Sequence, residues 1–202
     1  MSSEVSNGSS NVIWNIPNQV TLLRLILSIM MFCLLPFGLY WASFVLFVLA
    51  AGTDWLDGWY ARRYGQVTVL GRILDPFADK IIVCGTFIFL VAEPMLTAQW
   101  YGLQPWMAVV IVGREMLVTV LRSFIEQKGG DFSARMAGKL KMVFQCVAAS
   151  AALALLASGP APPAWLRATF FISLWLAVLS TIQSGVGYVI AAIRMVRREQ
   201  AT

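Results

Sequence analysis

Long apolar runs alternate with short polar connections along the chain. Each run has about the 20 residues that a helix needs to cross a bilayer. Prolines mark the connections near residues 36, 94 and 160–163, where helices are expected to stop. The pattern predicts an all-α polytopic membrane protein, a bundle of six transmembrane helices at about 19–37, 40–62, 75–97, 104–126, 137–158 and 165–193.

The N-terminal region differs from the rest of the chain. Residues 1–12 are polar and lack the basic flank and cleavage pattern of a signal peptide, so they are expected to form a disordered leader. A short interfacial segment is predicted at Ile13–Asn18, with Trp14 at the depth of the lipid head groups. Residues 13–198 are then expected to form one transmembrane domain.

The composition narrows the possible chemistry. Of the 202 residues, 59% are hydrophobic and 12% are charged, as expected for a polytopic membrane protein. The chain contains no histidine, which excludes Ser-His-Asp and Cys-His catalysis and histidine metal sites. Cys33, Cys84 and Cys146 share no metal-ligand or redox spacing and are interpreted as packing residues. Any proton transfer is therefore expected to fall to carboxylates.

The positive charges predict the orientation in the membrane. The net charge is +5, and the Lys and Arg residues lie next to the apolar runs, which favours anionic lipids or phosphorylated substrates over nucleic acid as partners. With a cytoplasmic N-terminus, every Lys and Arg except Arg167 falls on the inner side. The positive-inside rule then places both termini and the segment 54–79 in the cytoplasm, at the cell inner membrane.

Four aspartates are concentrated where the second predicted span ends and the third begins. Asp54 and Asp57 form one pair at helical spacing, and Asp75 and Asp79 form another. Carboxylates this close repel one another, and hard divalent ions such as Mg²⁺ would relieve the repulsion. Two such ions could clamp a displacement at phosphorus. The alternative is ordinary charges at helix ends, but acids within membrane segments are usually functional.

The same segment contains residues that suit a phosphate-bearing substrate. Gly58 and Gly71 would let a substrate approach the backbone where a Cβ would block it. Arg62, about one turn after Asp57, could meet a phosphate oxygen with its planar guanidinium group.

Further cations lie near the inner boundary of the fourth and fifth spans. They could bind an anion in a central cavity or reach lipid phosphates at the surface. Since sequence neighbours face different directions on a helix, Arg114 is not expected to pair with Glu115. The cations are Arg114, Arg122, Lys139 and Lys141.

Several other residues have possible roles in the site or in helix packing. Asn18 and Thr21 could cap or line the start of the first span, or could contact a ligand. Gln145 could serve the site or hydrogen-bond between helices. Gly185 and Gly187 are expected to allow close approach of helices.

The acidic segment resembles a known signature. The pattern Asp54-x2-Asp57-Gly58-x2-Ala61-Arg62-x8-Gly71-x3-Asp75-x3-Asp79 is similar to that of the CDP-alcohol phosphotransferase family at every fixed position. The stretches Pro17–Arg24, Gly113–Glu115 and Gly138–Lys141 also resemble the bacterial phosphatidylglycerolphosphate synthases within that family. The resemblance therefore extends over nearly the whole chain.

The resemblance implies a six-helix membrane enzyme, usually a homodimer, that transfers the phosphatidyl group of CDP-diacylglycerol to an alcohol and releases CMP. In the subgroup, the alcohol is sn-glycerol 3-phosphate. It implies that Asp54, Asp57, Asp75 and Asp79 ligate two Mg²⁺ or Mn²⁺ ions, with Asp79 also serving as general base. Positions implied to border CDP-diacylglycerol are Gly58, Ala61, Arg62 and Gly71, to which Asn18 and Thr21 are added as candidates.

A phosphorylated acceptor needs additional cations, and Arg114, Arg122, Lys139 and Lys141 are the candidates. Two other interpretations stay open. One keeps the chemistry but changes the acceptor to inositol phosphate, serine or phosphatidylglycerol. The other is a cation transporter, in which the acidic cluster is a transport site.

Overall fold

The computed structural model describes residues 16–64, 69–127 and 136–199, with side chains over 18–53, 76–123 and 140–195. Every regular element in these ranges is helical, which confirms the predicted all-α class for this part of the chain. One turn of 3-10 helix lies at Leu35–Phe37. The α-helices are α1 (Ile16–Leu34), α2 (Tyr40–Tyr64), α3 (Val69–Leu90), the short α4 (Pro94–Thr97), α5 (Pro105–Gln127), α6 (Met136–Ala157) and α7 (Ala164–Glu199).

Prolines and glycines shape the connections 35–39, 91–104 and 158–163, which together are called the proline-loop end. Pro36 lies in the 3-10 turn after α1, Pro94 begins α4, and Pro163 directly precedes α7. Gly38 and Gly159 have φ angles of 71° and 72°, a conformation that glycine adopts without steric cost. Each donates its N–H to a carbonyl three residues earlier, at 3.0 and 3.2 Å. These turns close the helix ends as the sequence predicts.

Five of the six predicted spans agree with a helix, and the third is displaced. The sequence predicts it at 75–97, whereas α3 runs from Val69 to Leu90. The helix stops early because Glu93 has extended backbone angles, φ −89° and ψ 111°, as is typical of a residue before proline. Pro94 then starts a separate short helix. Because α3 already begins at Val69, Asp75 and Asp79 lie one to three turns inside the helix instead of at its first turn.

Within the described residues, three helical segments are long and apolar enough to span a membrane: Asn18–Phe37, Leu140–Ala157 and Ala164–Met195. The apolar stretch Tyr40–Thr53 of α2 is shorter. Helix α5 carries charged residues in the middle of its apolar sequence, at Arg114 and Glu115. The chain is therefore a membrane protein whose remaining long helices carry polar groups within them.

The helices pack in two groups that meet mainly through α2 and α6, with further contacts of α3 with α5 and α6. Helix α1 lies against α2 and α3, and α7 lies against α5 and α6. Alanines on α6, among them Ala148, Ala149 and Ala152, are fully buried, so this helix approaches its neighbours closely. Added at Gly185, a Cβ would lie 3.2 Å from Cγ of Arg114, which confirms the predicted close contact there. At Gly187 a Cβ would meet nothing within 4 Å, so that prediction is wrong.

Large apolar side chains cover the outside of the bundle, as on Ile29, Val109 and Ile172. This outward apolar surface suits contact with lipid. The aromatic residues Trp41, Trp100, Tyr101 and Trp165 are exposed and lie at or next to the proline-loop end, as is typical of aromatics at a membrane surface. The predicted leader 1–12 and residues 13–15 of the predicted interfacial segment lie outside the described residues, and α1 already begins at Ile16.

Candidate active site

The acidic segment occupies the end of α2 and the first half of α3. Asp54 and Asp57 lie in α2, Asp75 and Asp79 lie in α3, and the two helices contact each other. Each pair therefore falls within one continuous helix, as its spacing predicts. The side chains of Asp54, Asp57 and Asp75 lie outside the described residues. Asp79 is the member of the four whose contacts the structure gives.

For four other predicted positions in this segment, the structure gives the helix but not the contacts. Gly58, Ala61 and Arg62 are in α2 and Gly71 is in α3, but the surroundings of these residues lie outside the described part of the chain. Their predicted role at the nucleotide and diphosphate stays a prediction.

Asp79 forms an ion pair with Arg24 of α1. Nη1 of Arg24 donates to Oδ1 of Asp79 at 2.6 Å. The Arg24 side chain is 1% exposed and that of Asp79 is 29% exposed, so the arginine is enclosed and the carboxylate reaches open space. A buried guanidinium is costly unless it is paired, so this contact holds the Asp79 carboxylate in a defined place. Arg24 was not predicted as a site residue, although its place as a charge within an apolar run is a signal of function.

The buried face of α1 is polar at this end. Asn18, Thr21, Arg24 and Ser28 follow one another at spacings of three or four residues, and all are buried. Ser28 donates its hydroxyl to the Arg24 carbonyl oxygen at 2.7 Å. The interpretation of Asn18 as a helix cap is wrong, because α1 already starts at Ile16. Asn18 and Thr21 instead belong to a buried stripe that leads to Arg24.

A second charged group joins α5, α6 and α7, and is called the Glu115 cluster: Arg114, Glu115, Lys141 and Ser184. The ammonium of Lys141 and Nη1 of Arg114 both donate to Oε1 of Glu115, the latter at 3.3 Å. The prediction that Arg114 and Glu115 do not pair was wrong. Neighbouring residues leave the helix in different directions, but these long side chains bend back and meet where Lys141 enters from α6.

Arg114 also ties α5 to α7. Its Nη2 donates to Oγ of Ser184 at 2.5 Å, and its guanidinium carbon lies 5.5 Å from the ring centroid of Tyr188. The small Gly185 leaves space for the arginine stem. One turn deeper in the cluster, Gln145 donates to Oγ1 of Thr181 at 3.1 Å, which confirms its predicted bond between helices.

A cavity of about 160 Å³ adjoins both charged groups. The cavity brings together Asp79, the predicted base, and Lys141, a predicted cation. Lys80 and Glu115 also line it, although neither was predicted from the sequence as a site residue. The lining residues are Pro76, Asp79, Lys80, Val83, Glu115, Lys141, Met142 and Gln145.

Two other predicted cations, Arg122 and Lys139, are not among the described residues that line this cavity. Arg122 is exposed on α5, and its side chain is not part of the lining. The side chain of Lys139 lies outside the described residues. Arg114 reaches the cavity only through Glu115.

The arrangement combines a held carboxylate with cations in one small space. Asp79 can accept a proton from a bound hydroxyl group, while Lys80 and Lys141 can bind an anionic group of the same molecule. The pairing of Arg24 with Asp79 and of Glu115 with Lys141 connects α1, α3, α5 and α6 around that space.

Known proteins have sequences similar to that of this chain. The profile of the CDP-alcohol phosphatidyltransferase family matches residues 14–183. The chain is 35% identical over 195 residues to the CDP-diacylglycerol–glycerol-3-phosphate 3-phosphatidyltransferase of Bacillus subtilis (strain 168), covering 87% of this chain and 93% of the relative.

Proteins of the same name from two other bacteria are also similar. That of Pseudomonas fluorescens is 38% identical over 168 residues, or 82% of this chain and 80% of the relative. That of Blochmanniella floridana is 32% identical over 182 residues, or 88% and 90%. The family profile spans the acidic helices α2 and α3 and includes Arg114, Glu115 and Lys141 of the Glu115 cluster, and the chain therefore belongs to the CDP-alcohol phosphatidyltransferase family.

Proposed function

We propose that this enzyme transfers the phosphatidyl group of CDP-diacylglycerol to sn-glycerol 3-phosphate, giving phosphatidylglycerol phosphate and CMP. The observation that carries the proposal is the cavity that Asp79 shares with Lys80 and Lys141. A carboxylate and two ammonium groups suit an acceptor that has both a hydroxyl to deprotonate and a phosphate to bind. The names of the relatives from B. subtilis and P. fluorescens support the same substrates.

In this reaction the acceptor oxygen bonds to the phosphorus that carries the diacylglycerol, and the bond from that phosphorus to the CMP oxygen breaks. Asp79 takes the proton of the acceptor hydroxyl. Its ion pair with Arg24 keeps the carboxylate in position, because the guanidinium is enclosed by α1 and α3 and has little freedom to move. The catalytic proton acceptor is thus held by a residue 55 positions earlier in the chain.

Members of the family generally use divalent metal ions. The donor set of this chain fits them, since four carboxylates on two contacting helices offer the oxygen ligands that Mg²⁺ and Mn²⁺ prefer. Asp54, Asp57, Asp75 and Asp79 would hold two ions. Bound there, the ions would supply positive charge to the phosphate groups.

The CDP-diacylglycerol would lie along α1, α2 and α3. Arg62 would bind a phosphate oxygen, and Gly58, Ala61 and Gly71 would leave room for the nucleotide. Asn18 and Thr21, buried on the polar face of α1, are close in sequence to Arg24 and would border the same substrate.

The acceptor phosphate would bind at the cationic side of the cavity. Among the predicted cations, the cavity favours Lys141, and it adds Lys80. Arg114 contributes by holding Glu115, while Arg122 and Lys139 remain candidates for the approach to the site.

In the membrane, the six long helices α1, α2, α3, α5, α6 and α7 would each cross the bilayer, as the length of each allows. The distribution of Lys and Arg supports the inner membrane, with both termini and the active site facing the cytoplasm. In that orientation, CDP-diacylglycerol keeps its acyl chains in the bilayer and its nucleotide at the site. The enzyme is expected to work as a homodimer.

An acceptor assay tests the proposal. Purified enzyme is given CDP-diacylglycerol and Mg²⁺ with sn-glycerol 3-phosphate, inositol phosphate, serine or phosphatidylglycerol, and CMP release is measured. We expect release with sn-glycerol 3-phosphate. Release with serine and none with sn-glycerol 3-phosphate would refute the acceptor assignment. Metal flux into liposomes without CMP release from any acceptor would instead favour a cation transporter.

A further inference from the structure

Glu115 occupies an unusual place beside the cavity, because its carboxylate receives bonds from two cations on two helices. Lys141 of α6 and Arg114 of α5 both donate to Oε1. The side chains of Arg114, Glu115 and Lys141 are 9%, 13% and 6% exposed. Three charged groups in so enclosed a place are costly unless they compensate one another.

Removing the carboxylate would release Lys141 in particular. The lysine ammonium sits at the end of a flexible four-carbon stem, so its position depends on its partner. Arg114 has further anchors, namely Ser184 and the ring of Tyr188. Among the contacts that the structure gives for Lys141, the bond to Glu115 is the one that fixes the ammonium.

We propose that Glu115 is a positioning residue that holds the Lys141 ammonium at the cavity, and so makes the site select an acceptor that carries a phosphate. The inference rests on the proposed function, which assigns the cavity to the acceptor. Glu115 faces the same cavity as Lys141, so the held ammonium can add a bond to an incoming phosphate without leaving its carboxylate partner. An ammonium group has three donors, which permits both contacts.

The test compares Glu115→Gln, Lys141→Met and the double variant in the full-length purified enzyme. For each, KM and kcat are measured for sn-glycerol 3-phosphate, for glycerol, which lacks the phosphate, and for CDP-diacylglycerol. Glu93→Gln is the matched control, since Glu93 is a partly buried carboxylate that accepts a bond from Tyr40 at the proline-loop end.

We expect Glu115→Gln to raise KM for sn-glycerol 3-phosphate by about tenfold or more, the loss typical of one charge-assisted bond. KM for CDP-diacylglycerol and kcat/KM for glycerol should change less than about twofold. Lys141→Met should have the same effect, and the double variant should be no worse than Lys141→Met alone. Glu115→Asp keeps the charge on a shorter stem and should restore part of the acceptor affinity.

Several results would overturn the inference. Equal losses with sn-glycerol 3-phosphate and glycerol would mean that Glu115 only stabilises the fold. Additive losses in the double variant would mean that it does not act through Lys141. If Glu115→Gln does not fold, Lys141→Met decides the question, because an unchanged KM for sn-glycerol 3-phosphate without the ammonium refutes the inference. Absence of CMP release from the wild-type enzyme with this acceptor would contradict the proposed function instead.

Discussion

The two ends of the bundle satisfy their buried polar groups in different ways. At the proline-loop end, Tyr40 donates to Glu93 at 2.9 Å in a partly buried place, and Trp175 donates to the Tyr101 carbonyl at 3.0 Å at the surface. Around the cavity, Arg24 pairs with Asp79 and Lys141 pairs with Glu115 in places with little exposure.

Buried ion pairs add little to stability compared with apolar packing, because desolvation offsets most of the attraction. The bonds at the proline-loop end therefore serve the fold, whereas the ion pairs at the cavity are retained for another purpose. The comparison predicts that substitutions at the cavity lower activity more than stability, and that substitutions at the proline-loop end do the reverse.

The largest effect is expected from Asp79→Asn. The amide keeps the shape of the carboxylate but cannot take the proton, so CMP release should fall by about 10²- to 10⁴-fold. The amide oxygen can still accept the bond from Arg24 but no longer balances its charge, so the detergent-solubilised protein should stay folded and unfold at a somewhat lower temperature than the wild type. Retention of most of the activity would mean that Asp79 is not the base.

A smaller loss is expected from Arg24→Met, which keeps a long apolar stem and removes the partner of Asp79. A carboxylate that is no longer held should lower kcat by about 10- to 100-fold, since misplacement by an ångström costs about that much. Arg167→Met is the control. Arg167 is exposed in the first turn of α7 near the proline-loop end, so its substitution should leave kcat unchanged. Equal effects of the two substitutions would contradict a positioning role for Arg24.

Gly185→Ala should have a moderate effect. The added Cβ would lie 3.2 Å from Cγ of Arg114, so the arginine must shift by a few tenths of an ångström. We expect KM for sn-glycerol 3-phosphate to rise by about two- to fivefold, less than for a full ångström of displacement. Gly187→Ala adds the same methyl group where nothing lies within 4 Å and should leave KM unchanged. Activity assays on this glycine pair separate crowding from a general effect of alanine in α7.

The smallest effect on catalysis is expected from Tyr40→Phe at the proline-loop end. Loss of the bond to Glu93 should lower the free energy of unfolding by about 1 kcal/mol, with kcat and both KM values unchanged. The shift is measured by denaturation in detergent. A selective loss of activity would break the proposed division between the two ends.

The sequence predicted the helices well because apolar runs and prolines act locally. The third span was predicted to end too late, because the apolar residues continue past Leu90, whereas the regular helix ends before Pro94. Hydropathy alone does not register where a backbone must become extended.

Two residues of the candidate site were singled out from the sequence. The segment of four aspartates pointed to Asp79, and the cations near the inner boundary of the fourth and fifth predicted spans pointed to Lys141. The partners of these two residues, Arg24 and Glu115, are 55 and 26 positions away, so only the packing of the helices brings each pair together. The same packing turned the side chains of Arg114 and Glu115 toward each other, against the local expectation.

The cavity wall carries two carboxylates, Asp79 and Glu115, and two ammonium groups, Lys80 and Lys141. Their formal charges cancel, so these four groups place positive and negative charges side by side with no net charge. Such a field decays quickly with distance and is weak beyond contact range. These four groups would therefore act on a solute once it is in the cavity rather than attract it from a distance, and ordinary changes in salt concentration should leave that contact largely unaltered.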